Sequence, residues 1–387
     1  MKILYITHLT ERNGSTIALL NIIKGVLGVG VDVGLVVPEQ KGWLYEECKK
    51  IDVDILYIGY LYDCILKKPK TNGFLDILLS YYRYCRYLIL LQRDFYRLIK
   101  KYKPDIVHCN NGTIDYALFG CWLLKIPFVW HIREYQDLDF NIDIFPSKKI
   151  LIWKMHRSFV RCIAITNGVF QHFGLSQKKD TVIYDGIIDD SKITEKPEVY
   201  EYKNYFLYVG SLGEGKGLHV AIDSFIAFHR KNPSVNLLIA GKIYKNSEYY
   251  IRCQKKIIDN DLTDHVLFLG YRSDVDALMQ NAIALLVPSY FEGFGFITVE
   301  AMYNHCLVIG RNTAGTKEQF DNGLKQTGAE IGLRFNDENE IESLMKLAME
   351  TDFTQMKRRA YCMVANNYSI SKNVSEIMHV YLSALNK

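Results

Sequence analysis

Short apolar runs recur along this chain with room for one helix between them, and that alternation limits the fold more than any other feature of the sequence. From Lys2 to Thr7, Val31 to Val37, Ile55 to Ile58, Ile106 to Cys109, Phe128 to Ile132, Cys162 to Thr166 and Thr181 to Ile183 the residues read as buried strands. Helical periodicity fills several of the gaps, first from Thr16 through Val26. Strands alternating with helices pair in parallel, so each series of them forms an α/β sheet. The rhythm restarts after Tyr184-Asp185-Gly186. Residues 187–204, rich in Asp, Lys and Glu, read as a linker. Further strands follow at Phe206 to Val209, Asn236 to Ala240, Val266 to Leu269, Ala284 to Val287 and Leu307 to Ile309. At 387 residues the chain exceeds the size at which one core keeps growing. Two α/β domains, residues 1–190 and 200–365, are therefore expected, with a cleft between them and ligands outside the carboxyl ends of the strands.

Apolar residues at 49% and charged residues at 23% fit a soluble globular protein. The net charge of +4 gives no reason to expect nucleic acid. The nine cysteines are odd in number and include no C-x-x-C pair, which disfavours zinc and a disulfide framework and favours a reducing compartment. The apolar run Ile3 to Ile6 is too short for a signal peptide, and Tyr87 to Leu91 falls far short of the ~20 residues of a membrane span. A cytoplasmic location follows, peripheral at most on an inner membrane face.

The stretch from Pro288 to Met302, PSYFEGFGFITVEAM, carries the strongest chemical signal. The apolar run Ala282 to Val287 precedes it as a strand, and a helix is expected from Val299 onward. The loop then sits at the carboxyl end of a strand, facing a helix N-terminus. Unpaired backbone N–H groups there suit an anion, above all a phosphate. Gly293 and Gly295 let the backbone approach it closely. Glu292 on the loop and Glu300 in or near the first helical turn can accept hydrogen bonds from hydroxyls. Anion donors beside hydroxyl acceptors suggest a nucleotide sugar. Two glutamates eight apart signal little alone, since a polar loop before an ordinary helix gives the same spacing.

A second loop, Gly210-Ser211-Leu212-Gly213-Glu214-Gly215-Lys216-Gly217, has glycines able to wrap a diphosphate and a positive charge at Lys216. It lacks P-loop spacing. Read alone, it also fits a flexible turn with a solvated lysine. A third loop, Thr10 to Ser15, lacks G-x-G-x-x-G, which disfavours a dinucleotide dehydrogenase. Gly14 and Ser15 before a helix could approach a phosphate or a sugar, or simply form a strand–helix turn.

Together these motifs resemble the retaining GT-B glycosyltransferases of family four over nearly the whole chain. The carriers are the E-x7-E pair Glu292 and Glu300 in its P-S-x-x-E-G-F-G…E-A-M setting, Pro104-Asp105-Ile106-Val107-His108, and His131 after a strand. Val182-Ile183-Tyr184-Asp185-Gly186-Ile187, Gly210 to Gly217, Phe268 to Val275 and Gly315-Thr316-Lys317-Glu318 complete the match. The resemblance implies a GT-B fold, with two Rossmann-like domains facing a central cleft. It also implies a final helix, Tyr368 to Leu385, that packs back on the first domain. It places Ser211 and Lys216 at the donor diphosphate, Glu292 at the donor sugar and Glu300 at the ribose. Tyr271 falls near the base, and His131 near the reaction centre. Position 211 is Ser where many relatives carry Arg, and His305-Cys306-Leu307 replaces the usual G-x-P. Read without the family, His131 is equally a hydrogen-bonded strand-end residue, and His108 reads as structural.

The implied reaction moves a sugar from a nucleotide diphosphate, UDP first among them, to a glycan or polyprenyl-linked acceptor with retention. The N–H groups of Gly293, Phe294, Gly295 and Phe296, with Lys216, would face the charge on the leaving phosphate. Neither cofactor nor metal is expected. The D-x-D triplets at Asp52, Asp137, Asp259 and Asp274 are scattered, and Ser273-Asp274 suits a helix start. A non-catalytic sugar-nucleotide-binding protein and a GT-B phosphorylase are the alternatives.

One segment remains outside that reading. Between Lys67 and Lys103 lie ten basic residues, Lys67, Lys68 and Lys70 among them, against only Asp76 and Asp94, interleaved with aromatic and aliphatic residues. A basic amphipathic helix reads as binding an anionic membrane surface, or as a long surface helix with solvated arginines.

Overall fold

The computed structural model describes residues 1–59, 73–112, 114–139, 144, 147–189 and 201–386, with the backbone alone at 87. The chain divides into two compact units, Met1–Asp190 with Tyr368–Lys387, and Ser191–Asn367. Each is Rossmann-like.

In the first unit, β1 (Lys2–Ile6), β2 (Asp32–Val37), β3 (Asp54–Tyr57), β4 (Ile106–Cys109), β5 (Phe128–Ile132), β6 (Val160–Ala164) and β7 (Thr181–Val182) form one parallel sheet in the order β3-β2-β1-β4-β5-β6-β7. Every residue of β4 and β5 is buried. Strands covered on both faces have no polar alternation, which is why they stand out as continuous apolar runs. The helix Gly14–Gly28 lays Leu19, Ile22, Ile23 and Val26 into this core. It begins two residues before the apolar pattern because Asn13 caps it. The Asn13 carboxamide oxygen accepts from Thr16 N at 3.0 Å, and Asn13 N donates to Thr16 Oγ1 at 3.0 Å.

The same core is finished by the chain's last helix, Ile370–Leu385, through Val374, Ile377 and Tyr381. Burying such a side chain stabilises by about 1.5–3 kcal/mol. The segment after β7 is stitched to this helix: Ile187 N and Ile188 N donate to Tyr368 O, and Asn373 Nδ2 donates to Tyr184 O at 2.7 Å.

In the second unit, β8 (Tyr205–Val209), β9 (Asn236–Ala240), β10 (Val266–Gly270), β11 (Ala284–Val287), β12 (Val308–Arg311) and β13 (Leu333–Phe335) form a parallel sheet in the order β10-β9-β8-β11-β12-β13. Phe206, Phe225, Phe228, Leu237, Leu286 and Ile309 are among its core residues. In each sheet the first strand of the series lies beside the fourth, β1 beside β4 and β8 beside β11. Connections leave these two strands in opposite directions, so a crevice opens at their carboxyl ends.

The helix Phe74–Tyr102 runs for 29 residues and packs through Leu91, Phe95 and Ile99. Lys67, Lys68 and Lys70 lie outside the described residues, as do residues 190–200 of the linker. Among the described residues no helix is long and apolar enough to cross a membrane.

Candidate active site

The crevice of the second unit is where the sequence's two glycine-rich loops meet. One leaves β8, turns through a short 3₁₀ segment at Glu214–Lys216, and enters the helix Leu218–His229 at Gly217. Gly217 has φ +68°, and a Cβ there would stand 2.5 Å from Pro288 O. Only glycine permits both the left-handed turn and the close approach. The other loop leaves β11. Tyr290 N donates to Gly215 O at 3.0 Å, and Lys216 Nζ donates to Glu292 Oε1 at 2.7 Å. Adjacency of β8 and β11 thus brings together residues 76 positions apart. The Lys216 side chain is 37% exposed and that of Glu292 14%. Such a pair contributes at most about 1 kcal/mol to stability; its effect is to fix where a cation and a carboxylate stand.

The β11 loop is held from behind. Gly315 N donates to Glu292 O at 2.8 Å, Gln319 Nε2 to Phe294 O at 2.8 Å, and Thr313 Oγ1 to Tyr290 O at 2.9 Å. All three donors belong to the Gly315-Thr316-Lys317-Glu318 helix, Ala314–Thr327, or to its N-cap. Arg311, at the end of β12, adds a buttress that sequence reasoning missed. It donates to Pro288 O at 3.1 Å, pairs with Glu338 at 2.6 Å, and lies 4.3 Å from the centroid of the Tyr290 ring.

Gly295, with φ +86°, caps the helix Phe296–Tyr303. That helix therefore begins three residues before the expected Val299. Glu300 consequently stands at the start of its second turn rather than in its first. Phe294 is buried, Phe296 half-buried, and Ser211 exposed. Tyr271 follows β10 and is 63% exposed, next to Gly270 at φ +71°. Asp274 stands at the start of the helix Val275–Asn281, but its carboxylate pairs with Arg272 at 2.6 Å instead of capping a backbone N–H.

In the first unit, polar residues gather at the carboxyl ends of β1, β4 and β5. His131 is fully buried. Its Nδ1 lies 3.3 Å from His108 Nε2, His108 Nδ1 lies 2.5 Å from Tyr381 Oη, and Tyr381 Oη lies 2.9 Å from Tyr5 Oη. Burial pushes His108 down to about 3, with Arg133 adding to the effect, and holds His131 well below the usual imidazole range. Both rings are neutral at physiological pH.

Arg133 donates twice to Asp185, at 2.6 and 2.7 Å, and through Nε to Asn110 Oδ1 at 2.7 Å. Asn110 Nδ2 in turn donates to Ser15 O at 3.2 Å, and Ser15 Oγ to Asn13 Oδ1 at 2.8 Å. The first turn of the helix Gly14–Gly28 is thereby fixed to β4 and β5. Burial raises the Asp185 carboxyl, against the pull of Arg133. Sequence reasoning missed this pair, although Arg133 is two residues after His131 and Asp185 lies within the Val182–Ile187 motif. Buried His131 Nε2, His8 Nδ1, Arg133 Nη2 and both side-chain polar atoms of Gln136 have no hydrogen-bond partner. Orphaned buried groups cost about 1–3 kcal/mol each. Several at one end of one sheet are groups that a hydroxyl-rich ligand could satisfy.

A parallel Rossmann-like sheet in each unit, with two glycine-rich loops meeting at the β8–β11 crevice, defines an α/β protein of GT-B architecture. Glycosyltransferase Family 4 matches residues 12–191, and Glycosyl transferases group 1 matches residues 189–361. The chain belongs to the GT-B glycosyltransferases of the family-four type.

The O-antigen chain mannosyltransferase RfbU of Salmonella typhimurium is 29% identical over 191 residues, 47% of this chain and 51% of the relative. The chain thus spans about half the length of that relative. The UDP-Gal:alpha-D-GlcNAc-diphosphoundecaprenol alpha-1,3-galactosyltransferase of Escherichia coli is 23% identical, over 75% of this chain and 78% of the relative. Among solved structures, Anabaena HepE in complex with UDP and glucose superposes with a TM-score of 0.74 at 17% identity, covering 99% of this chain and all of that one.

Proposed function

We propose that this protein transfers a sugar from a nucleotide diphosphate, UDP first among them, to a hydroxyl of a glycan or polyprenyl-linked acceptor. The anomeric configuration is retained, and neither metal nor cofactor takes part. The observation that carries the reading is the Lys216–Glu292 pair, which joins two glycine-rich loops at the crevice of the second unit at 2.7 Å. A diphosphate seated between these loops meets Lys216, Ser211 and the N–H groups of Gly293 to Phe296. Glu292 and Glu300 then accept from sugar and ribose hydroxyls, and Tyr271 covers the base.

Negative charge grows on the leaving phosphate as the glycosidic bond breaks. Fixed donors aimed there act on the transition state more than on the ground state. Glu292 orients the sugar and forms no bond to it. The acceptor belongs to the first unit, where Gly14, Ser15 and the polar groups around His131 face the carboxyl ends of β1 and β4. A relative whose name specifies a diphosphoundecaprenol acceptor supports the lipid-linked class.

The test is donor turnover by the purified chain, after a thermal-shift screen of nucleotide sugars. A donor at a hundred times its Kd raises stability by about 2.7 kcal/mol. Glu292→Gln is expected to abolish turnover and keep UDP binding. Turnover that requires free phosphate, or UDP bound away from Lys216, Glu292 and Glu300, overturns the proposal.

A further inference from the structure

The surface around the helix Phe74–Tyr102 takes no part in that chemistry. Three bands run along this helix, whose residues repeat at about 3.6 per turn. Tyr84, Leu91, Phe95 and Ile99 form the buried band. Phe74, Leu78, Tyr82 and Ile89 share a second face and are exposed by 75, 49, 63 and 68%. Arg83, Arg86, Arg93 and Arg97, all exposed, flank that apolar face on one side.

The apolar band continues into a groove of about 910 Å³. Leu88, Ile89 and Tyr96 wall one side of it, and Phe119, Trp122 and Trp153 the other. Trp122 and Trp153 are 57% and 56% exposed. The Arg157 guanidinium lies 4.1 Å from the Trp153 ring centroid, and Arg93 and Lys154 also line the groove. Asp76 and Asp94 are the helix's only acids, and Asp94 is paired with Arg93 at 2.8 Å.

We propose that this face docks on an anionic bilayer, with the helix lying in the headgroup plane and the groove between it and Trp122 and Trp153 receiving a lipid acyl chain. Contiguous apolar side chains on this scale are unusual on a soluble domain without a partner. Apolar residues flanked by arginines sink their apolar side and leave the guanidinium groups at lipid phosphates. Tryptophans beside such a helix take the place they favour, at the boundary of acyl chain and headgroup. Charge argues against a second copy of this chain, which would bring the same arginines to the same surface. The inference rests on this surface alone, and its readout needs no turnover.

The experiment uses the full chain with vesicles of phosphatidylcholine alone or mixed equally with phosphatidylglycerol. Co-sedimentation with the anionic vesicles is expected to exceed that with the neutral ones by about tenfold or more. Arg83→Glu/Arg86→Glu/Arg97→Glu is expected to weaken it by roughly fivefold per arginine removed. Brominated acyl chains are expected to quench tryptophan emission in the wild type, and Trp122→Phe/Trp153→Phe to abolish the quenching. Circular dichroism checks that each variant keeps its fold. Wild type that stays in the supernatant, arginine reversal without effect, or binding without quenching overturns the proposal. A dimer that Trp122→Ser dissociates, with no vesicle binding, assigns the face to a second copy instead.

Discussion

Lys216 and Glu292 hold one another in place before any ligand arrives. Their salt bridge is too solvated to matter much to folding, so its loss falls on chemistry. Lys216→Met is expected to lower kcat/KM by about 10²–10³-fold, the usual loss for one donor aimed at a developing oxyanion. Its unfolding midpoint is expected to match that of the wild type. Donor-turnover kinetics and a urea titration check the two halves of that statement.

The buried imidazoles behave differently. His108 titrates at about 3 in the fold, against roughly 6.5 in an unfolded chain. As pH falls, the unfolded chain takes the proton first. The stabilisation is therefore full above about pH 6.5 and is lost as pH drops toward 3, by up to about 1.4 kcal/mol per pH unit for each such ring. His8, held at about 4 by burial, acts in the same direction. His108→Gln, which keeps a polar partner for Tyr381, is expected to give a shallower fall of the urea midpoint between pH 6.5 and 4.

At the scale of elements, the two loop glycines should separate cleanly. Gly217→Ala forces a Cβ into a left-handed turn and against Pro288 O. Gly295→Ala meets the same backbone strain, but its nearest neighbour is at 3.4 Å. Strain of this kind costs about 1–3 kcal/mol. Gly217→Ala is expected near or above the upper end, and Gly295→Ala near the lower, in urea midpoints.

Arg133→Met leaves Asp185 buried and uncompensated, at a cost of about 3–5 kcal/mol. The double variant Arg133→Met/Asp185→Leu is expected to recover much of that loss.

Most strands were legible because burial on both faces writes an unbroken apolar run, as in Ile106–Cys109 and Ala284–Val287. Leu333–Phe335 was not, since three residues with Arg334 in the middle, set between Gly332 and Asn336, are too few to carry a period. The start of the helix Phe296–Tyr303 was hidden because a glycine at positive φ, not a side-chain cap, begins it. The E-x7-E and glycine-rich motifs were visible because the neighbouring loops need particular residue types. Arg311 and the Arg133–Asp185 pair were not, because their roles depend on partners brought close only by the sheets.

For the whole molecule, the division of the chain has an order built into it. The first unit opens the sequence, yet Val374, Ile377 and Tyr381 of its core come from the last helix. A truncation after residue 367 is expected to leave the second unit's nucleotide-dependent thermal shift in place. The first unit should become readily cleaved by protease, which limited proteolysis would reveal. In the cell the same geometry becomes a matter of timing. A nascent chain grows at about 5–20 residues per second, and it has made every strand of both sheets before the residues that seal the earlier one emerge. The half translated first is thus finished only once residues 370–385 emerge, and until then Tyr5 waits without its hydroxyl partner Tyr381.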